Sequence, residues 1–183
     1  MKNKELLEFN KKRKIFQLGV VVANLEDAMD SWIRVFKVGP WLVKTLGTEN
    51  LSDLVQKNGA VREQGFKYRI ALAMIGDLQI ELLEANAETP IYMDFLKRTG
   101  GGVHHIKEMI GDERMDSELA SYESIGVQNI YGANYYKSTF NNLDAVEKLG
   151  IFIELGNCAT AAVPPGEPAG ENYPKEDCAI ANE

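Results

Sequence analysis

The sequence predicts an α+β protein built of two βαβββ modules, residues 15-85 and 103-156. Three observations carry that prediction. Each half opens with an apolar, β-branched strand followed by an acidic helix, each half closes on a strand holding the triplet Ile-Glu-Leu, and the elements between come in the same order. Gln17 and His105, on the opening strands, are 88 positions apart, while Glu81 and Glu154, in the closing triplets, are 73 apart. The first half therefore carries extra chain, which the segment 47-66 supplies.

The elements follow in order. Residues 14-22, KIFQLGVVV, read as a strand, because apolar and β-branched residues run through them with one amide as interruption. Asn24 is placed as an N-cap for a helix whose apolar stripe is Met29, Trp32, Ile33 and Phe36; Gly39 and Pro40 stop it. Residues 41-46, WLVKTL, make a short strand, and the polar stretch after it reads as loop or lid with room for a helical turn. Two strands over 67-75 and 78-85 are joined by Gly76 and Asp77 as a two-residue hairpin turn. A linker, 86-102, holds a short helix with Pro90 near its start. The second half then repeats the order: a strand VHHIKEMI, a helix with Met115, Leu119 and Tyr122 in one stripe and Gly126 as its stop, one or two strands over VQNIYGANYYKSTF, and a closing strand GIFIELG. Residues 1-14 form an N-terminal arm, and 157-183, rich in proline, glycine and charge, an extended C-terminal tail.

With 183 residues, 45% of them hydrophobic, the chain can bury a real core. A formal net charge of -7 argues against nucleic acid as a partner. No run approaches the ~18 apolar residues of a membrane helix, and the basic arm lacks the apolar run of a secretory signal. Two cysteines, Cys158 and Cys178, without CxxC spacing, suit a reducing cytoplasm better than a disulfide framework.

Three strands share an oddity. Gln17 lies between Phe16 and Leu18, Glu81 between Ile80 and Leu82, and Glu154 between Ile153 and Leu155. Alternate side chains in a strand face opposite ways, so if the flanking residues pack under helices the polar ones project onto the concave face. His105 joins them by the same geometry, and its neighbour His104 falls on the packed face. Isolated charges there are costly and need a cation, a hydrogen-bond network or water. An amide carbonyl, two carboxylates and an imidazole suit one divalent ion, Zn, Ni, Co, Mn or Fe. Polar residues that alternate along an antiparallel strand ordinarily face plain solvent, and the residues alone leave that alternative open.

The stretches FQLGVVVANLEDAMDSWIRVFKVGPW, QIELLEA, GGVHHIKEM and EKLGIFIELG, taken in that order, resemble the vicinal oxygen chelate superfamily, which includes glyoxalase I, methylmalonyl-CoA epimerase, extradiol dioxygenases and bleomycin resistance proteins. The resemblance covers about residues 15-156, and ELLEA and GGVHHI look most like the epimerase branch, with glyoxalase I next. It implies a cupped sheet around a divalent metal with Gln17, Glu81, His105 and Glu154 as ligands, the same four residues as the concave set. Gln17 together with Glu81 disfavours a dioxygenase site.

What the resemblance implies for function is an isomerase or lyase that moves a proton next to a carbonyl through a metal-stabilised enolate, on a small carbonyl compound or an acyl thioester, in a homodimer. Glu154 is the principal base and Glu81 the second proton carrier; Gln17 ligates but cannot act as a base. Lys107, Trp41 and Tyr68 are candidates for contact with substrate. The reading from a different class is a non-catalytic small-molecule binding or resistance protein of the same fold.

Overall fold

The computed structural model describes residues 2–62, 65–158 and 170–175. After an N-terminal helix α1 (Asn3–Lys11), the first half runs β1 (Ile15–Val22), α2 (Leu25–Phe36), β2 (Trp41–Gly47), β3 (Ser52–Gln56), β4 (Lys67–Ile75) and β5 (Leu78–Glu84). Helix α3 (Pro90–Thr99) leads to β6 (Gly102–Met109), α4 (Asp112–Ser124), β7 (Asn129–Tyr135), β8 (Ser138–Leu143), α5 (Val146–Leu149) and β9 (Phe152–Gly156); β10 (Glu171–Tyr173) lies in the tail.

All ten strands join one mixed sheet in the order β10-β2-β4-β5-β1-β6-β9-β8-β7-β3. In the first half the opening strand β1 lies parallel to the closing strand β5, and in the second β6 lies parallel to β9. The two opening strands then pair antiparallel at the centre. That topology puts the four strands expected to bear the polar set side by side, as β5-β1-β6-β9.

Local chemistry accounts for the elements. Asn24 accepts a hydrogen bond from the Asp27 N–H at the start of α2, and Lys37, with φ of 60°, ends the helix before Pro40. Leu25 and Met29 drive the helix onto Trp41, Ile80 and Leu82 on the convex face. Met115 of α4 packs in the same way on Ile153 and Leu155. The β4–β5 turn uses Gly76 at φ of 56°, a conformation its lack of Cβ permits.

The sheet curls until its far strands meet. The Tyr68 and Tyr131 hydroxyls, from β4 and β7, lie 3.1 Å apart, and Lys44 of β2 stands over the ring of Tyr135 on β7. Tyr92 and Phe95 of α3 pack onto this inner face with Tyr68, Ile70 and Phe152.

Three expectations change. The segment 47-66 is no loop or helical turn throughout: its residues 52–56 form β3, which crosses to the other half and pairs with β7, satisfying that strand's free edge. The tail contributes β10, paired with β2 on the opposite edge. The arm forms α1, whose residues are all exposed, and Arg13 just beyond it pairs with Glu108 of β6. Cys178 lies outside the described residues, and Cys158 is free. Among the described residues no helix is long and apolar enough to cross a membrane.

Candidate metal centre

Alternation along the strands carries the site. Leu18, Ile80, Leu82, Ile153 and Leu155 pack beneath α2 and α4, so Gln17, Glu81 and Glu154 are turned to the inner face. All three are buried there, and His105 is wholly so. Ligand atoms of Glu81, His105 and Glu154 lie within 4.8 Å of one another. His105 Nε2 is 3.2 Å from Glu81 Oε2 and 3.4 Å from Glu154 Oε2, and among the described residues Nε2 has no aligned hydrogen-bond partner. Gln17 donates its amide to Gln79 Oε1 at 2.6 Å, which leaves its own Oε1 buried and without a partner.

A buried acceptor and a buried ring nitrogen without hydrogen bonds are costly. Beside two carboxylates, they make a donor set of one nitrogen and three oxygens that fits a divalent ion. Gln17, Glu81, His105 and Glu154 are the residues that could hold it.

The electrostatics tie the cluster together. Glu154 Oε1 is 2.9 Å from the Lys107 ammonium, while Oε2 turns toward His105 and the Asn142 amide. Burial pushes the Glu154 carboxyl up, but Lys107 and His105 outweigh it and hold its pKa below the usual value. Burial likewise pulls Lys107 and His105 down, and the carboxylates outweigh it, so both are raised.

His104 corrects the parity argument. Gly19 pairs with His105 while Val20 pairs with Val103, so His104 is an extra residue in β6, a bulge. The bulge brings both imidazoles to the inner side. His104 stacks on Phe152 at 4.4 Å between centroids, with Tyr92 and Phe95 edge-on, and its Nδ1 lies 3.1 Å from Nδ1 of His105. Burial, with the neighbouring His105 and Arg98, holds His104 well below its usual pKa, hence neutral. When His105 Nε2 acts as a ligand, its Nδ1–H is the donor and His104 Nδ1 the acceptor, which orients the ring.

Gln17, Tyr68, Glu81, Lys107 and Glu154 line one cavity of about 60 Å³, and His105 is fully buried against Glu81 and Glu154. Trp41 does not join them. Its side chain alternates with Lys44 and Leu46, and it is fully buried under α2 beside Trp32, so its expected pocket role is corrected to packing. Sequence reasoning missed Gln79, which shares Glu81's face two residues away, and Asn142, a buried amide directly across from Glu154. It also missed Lys44, a charge inside WLVKTL, and Tyr92, which linear patterning assigns to helix packing. Gly19 was missed too, although a glycine inside a strand signals a close approach: a Cβ there would meet His105 Cε1 at 2.1 Å.

A curled mixed sheet with a buried Glu-His-Glu cluster on its inner face defines an α+β protein whose sheet could hold one metal ion. The chain belongs to the glyoxalase/bleomycin resistance protein/dioxygenase superfamily, whose family model matches residues 16–142. The sheet is the vicinal oxygen chelate fold. A search of curated proteins finds no match. Among solved structures, a hypothetical protein, BH1468 from Bacillus halodurans C-125, is 22% identical with a TM-score of 0.56, covering 84% of this chain and 99% of its own. Methylmalonyl-CoA epimerase from Mycobacterium tuberculosis is 22% identical with a TM-score of 0.56, covering 79% of this chain and 87% of its own. A methylmalonyl-CoA epimerase in complex with methylmalonyl-CoA and NH4+ is 22% identical with a TM-score of 0.58, covering 83% and 99%. At this identity the likeness is one of fold.

Proposed function

We propose that the protein is a divalent-metal-dependent enzyme that moves a proton next to a carbonyl, an isomerase or lyase with epimerase-like or glyoxalase-like chemistry. The observation that carries this reading is the convergence of Glu81, His105 and Glu154 within 4.8 Å, with His105 Nε2 and Gln17 Oε1 both lacking hydrogen bonds. Bound there, the ion supplies a fixed positive charge that stabilises negative charge developing on the substrate's carbonyl oxygen.

The two carboxylates divide the work. Glu154 is anchored twice, by Lys107 on Oε1 and Asn142 on Oε2, contacts that would hold it in place as a ligand. Glu81, which has no lysine or amide contact among the described residues, would be the carboxylate freer to carry the proton. This reverses the emphasis that the resemblance placed on Glu154. Burial raises the Tyr68 and Tyr92 phenols well above their usual pKa, with neighbouring Tyr131 adding to it, so they line the cavity as neutral donors and cannot serve as bases.

A cavity of about 60 Å³ suits the reacting head of a substrate and excludes a whole carrier. An acyl thioester would therefore enter by its acyl end, a substrate class supported by the neighbour solved with methylmalonyl-CoA. We place the enzyme in the cytoplasm as a homodimer, on the sparse cysteines and the family resemblance respectively. A specific observation favours a second reading. Lys107 and a protonated His105 already balance both carboxylates, so the cup could hold a neutral ligand without an ion or any chemistry.

The test is metal analysis of the purified protein, then solvent deuterium exchange into α-carbonyl compounds and thioesters with and without chelator. The expected result is about one ion per chain and exchange that chelator abolishes. Absence of both would leave only the binding-protein reading. Glu81→Gln is expected to keep most metal affinity and lose exchange by at least about a hundredfold, the lower range for an acid–base group; Glu154→Gln is expected to lose metal first.

A further inference from the structure

Lys44 stands apart from every other cation of the site. The residue is only 6% exposed, and its ammonium lies 5.0 Å from the centroid of the Tyr135 ring across the curled sheet. Lys107 has Glu154 and Arg69 has Glu26 and Glu84, but among the described residues no carboxylate pairs with Lys44. Burial pulls its pKa down, with the neighbouring Cys158 acting against it. A buried cation that rests on an aromatic face, with no carboxylate partner among the described residues, costs stability, and such a cost persists where an anion completes the site.

The position says what the charge is for. Lys44 and Tyr135 line both the inner cavity with Glu81 and Glu154 and an outer groove of about 500 Å³ that also borders Asn50, Arg69 and the carboxylates Glu49 and Glu171, so the positive charge faces the cavity end of the groove. Lys44 and Tyr135 form the partition between the two spaces. With a divalent ion on the floor and His105 neutral, the ion and Lys107 exceed the charge of Glu81 and Glu154 by one, and Lys44 adds a second positive charge. The loaded cup is therefore matched to an anion.

We infer that Lys44 is a specificity-determining residue that docks an anionic oxygen group of the substrate at the junction of the cavity and the groove. The inference deepens the proposed function and rests on it for the charge of the loaded cup, while an ammonium without a carboxylate partner among the described residues is independent of any metal. The anion has two sources: a carboxylate on the reacting head or a phosphate on a carrier lying in the groove.

The experiment titrates malonate, its neutral counterpart malonamide and inorganic phosphate into metal-loaded and chelator-stripped protein by calorimetry. Wild type, K44M, K44Q and K44R are compared, with thermal melts to establish that each is folded. A charge-assisted contact predicts that K44M and K44Q weaken the anion about ten- to a hundredfold, that K44R retains it, and that malonamide binding does not respond. Dependence seen with malonate identifies a head-group carboxylate; dependence seen with phosphate identifies the carrier. Equal anion binding by wild type, K44M and K44Q, or malonamide binding as tightly as malonate, overturns the inference. Lys44-dependent binding that persists in stripped protein sustains it even where the exchange assay finds no chemistry, so the two failures are distinguishable.

Discussion

The His105 ring occupies the space in which any other residue at position 19 would carry a Cβ, because that atom would sit 2.1 to 2.5 Å from three of the ring atoms. Gly19→Ala must therefore displace a fully buried imidazole. We expect a loss of about 1–3 kcal/mol, as for overpacked cores, read by denaturant unfolding, together with a clear drop in metal affinity. His104→Phe separates packing from orientation. The phenyl ring keeps the stack on Phe152 but removes the acceptor for His105 Nδ1–H, so metal affinity should fall roughly ten- to a hundredfold with little change in unfolding free energy. Unchanged affinity in a folded His104→Phe protein would show that the 3.1 Å contact does not orient the ring. Lys107→Met leaves a buried carboxylate uncompensated at Glu154. A cost of about 3–5 kcal/mol is expected for such a broken pair, and it should be smaller when metal is bound than in chelated protein, because the ion takes over the compensation.

Among elements, α2 is held by chemistry at both ends of its contact. Asn24 caps it, and Arg69 of β4 bridges Glu26 in its first turn to Glu84 of β5. Since the Arg69 and Glu26 side chains are more than a third exposed, that bridge is screened and adds little. The cap matters more. Asn24→Ala should cost about 0.5–2 kcal/mol, visible as a lower melting temperature, and leave metal affinity unchanged because α2 lies on the convex face. Strand β6 behaves differently. Its bulge adds one residue opposite β1 and so turns two adjacent histidines toward one face, which no strict two-residue period allows.

Across the whole molecule, the sheet order explains why one centre serves two halves. The opening and closing strands of each half are neighbours, and the opening strands meet at the middle, so residues 88 and 73 positions apart in sequence converge on one floor. Stability should consequently be linked to ligation. An ion that binds only the folded chain stabilises it by about 2.7 kcal/mol at a hundredfold excess over its dissociation constant. Chelation is therefore expected to lower the melting temperature of wild type, and to do so far less in His105→Ala; equal shifts would place the ion elsewhere.

The order of the β1, α2, β2, β4, β5 and β6, α4, β7, β9 elements, the hairpin at Gly76, the cap at Asn24 and the alternation that sets Gln17, Glu81 and Glu154 apart from their apolar neighbours were legible in the sequence. Each depends on a local period, a turn residue or a cap, which the neighbouring residues determine without reference to the rest of the chain. Tertiary structure alone decided the rest. Which edge β3 and β10 would cover, that β6 would bulge at His104, that Trp41 would lie beneath α2 and that Lys44 would face the cavity over Tyr135 all depend on partners far away in sequence. A strand's alternation says that two faces exist; only the strand paired beside it and the curl of the sheet say what each face meets.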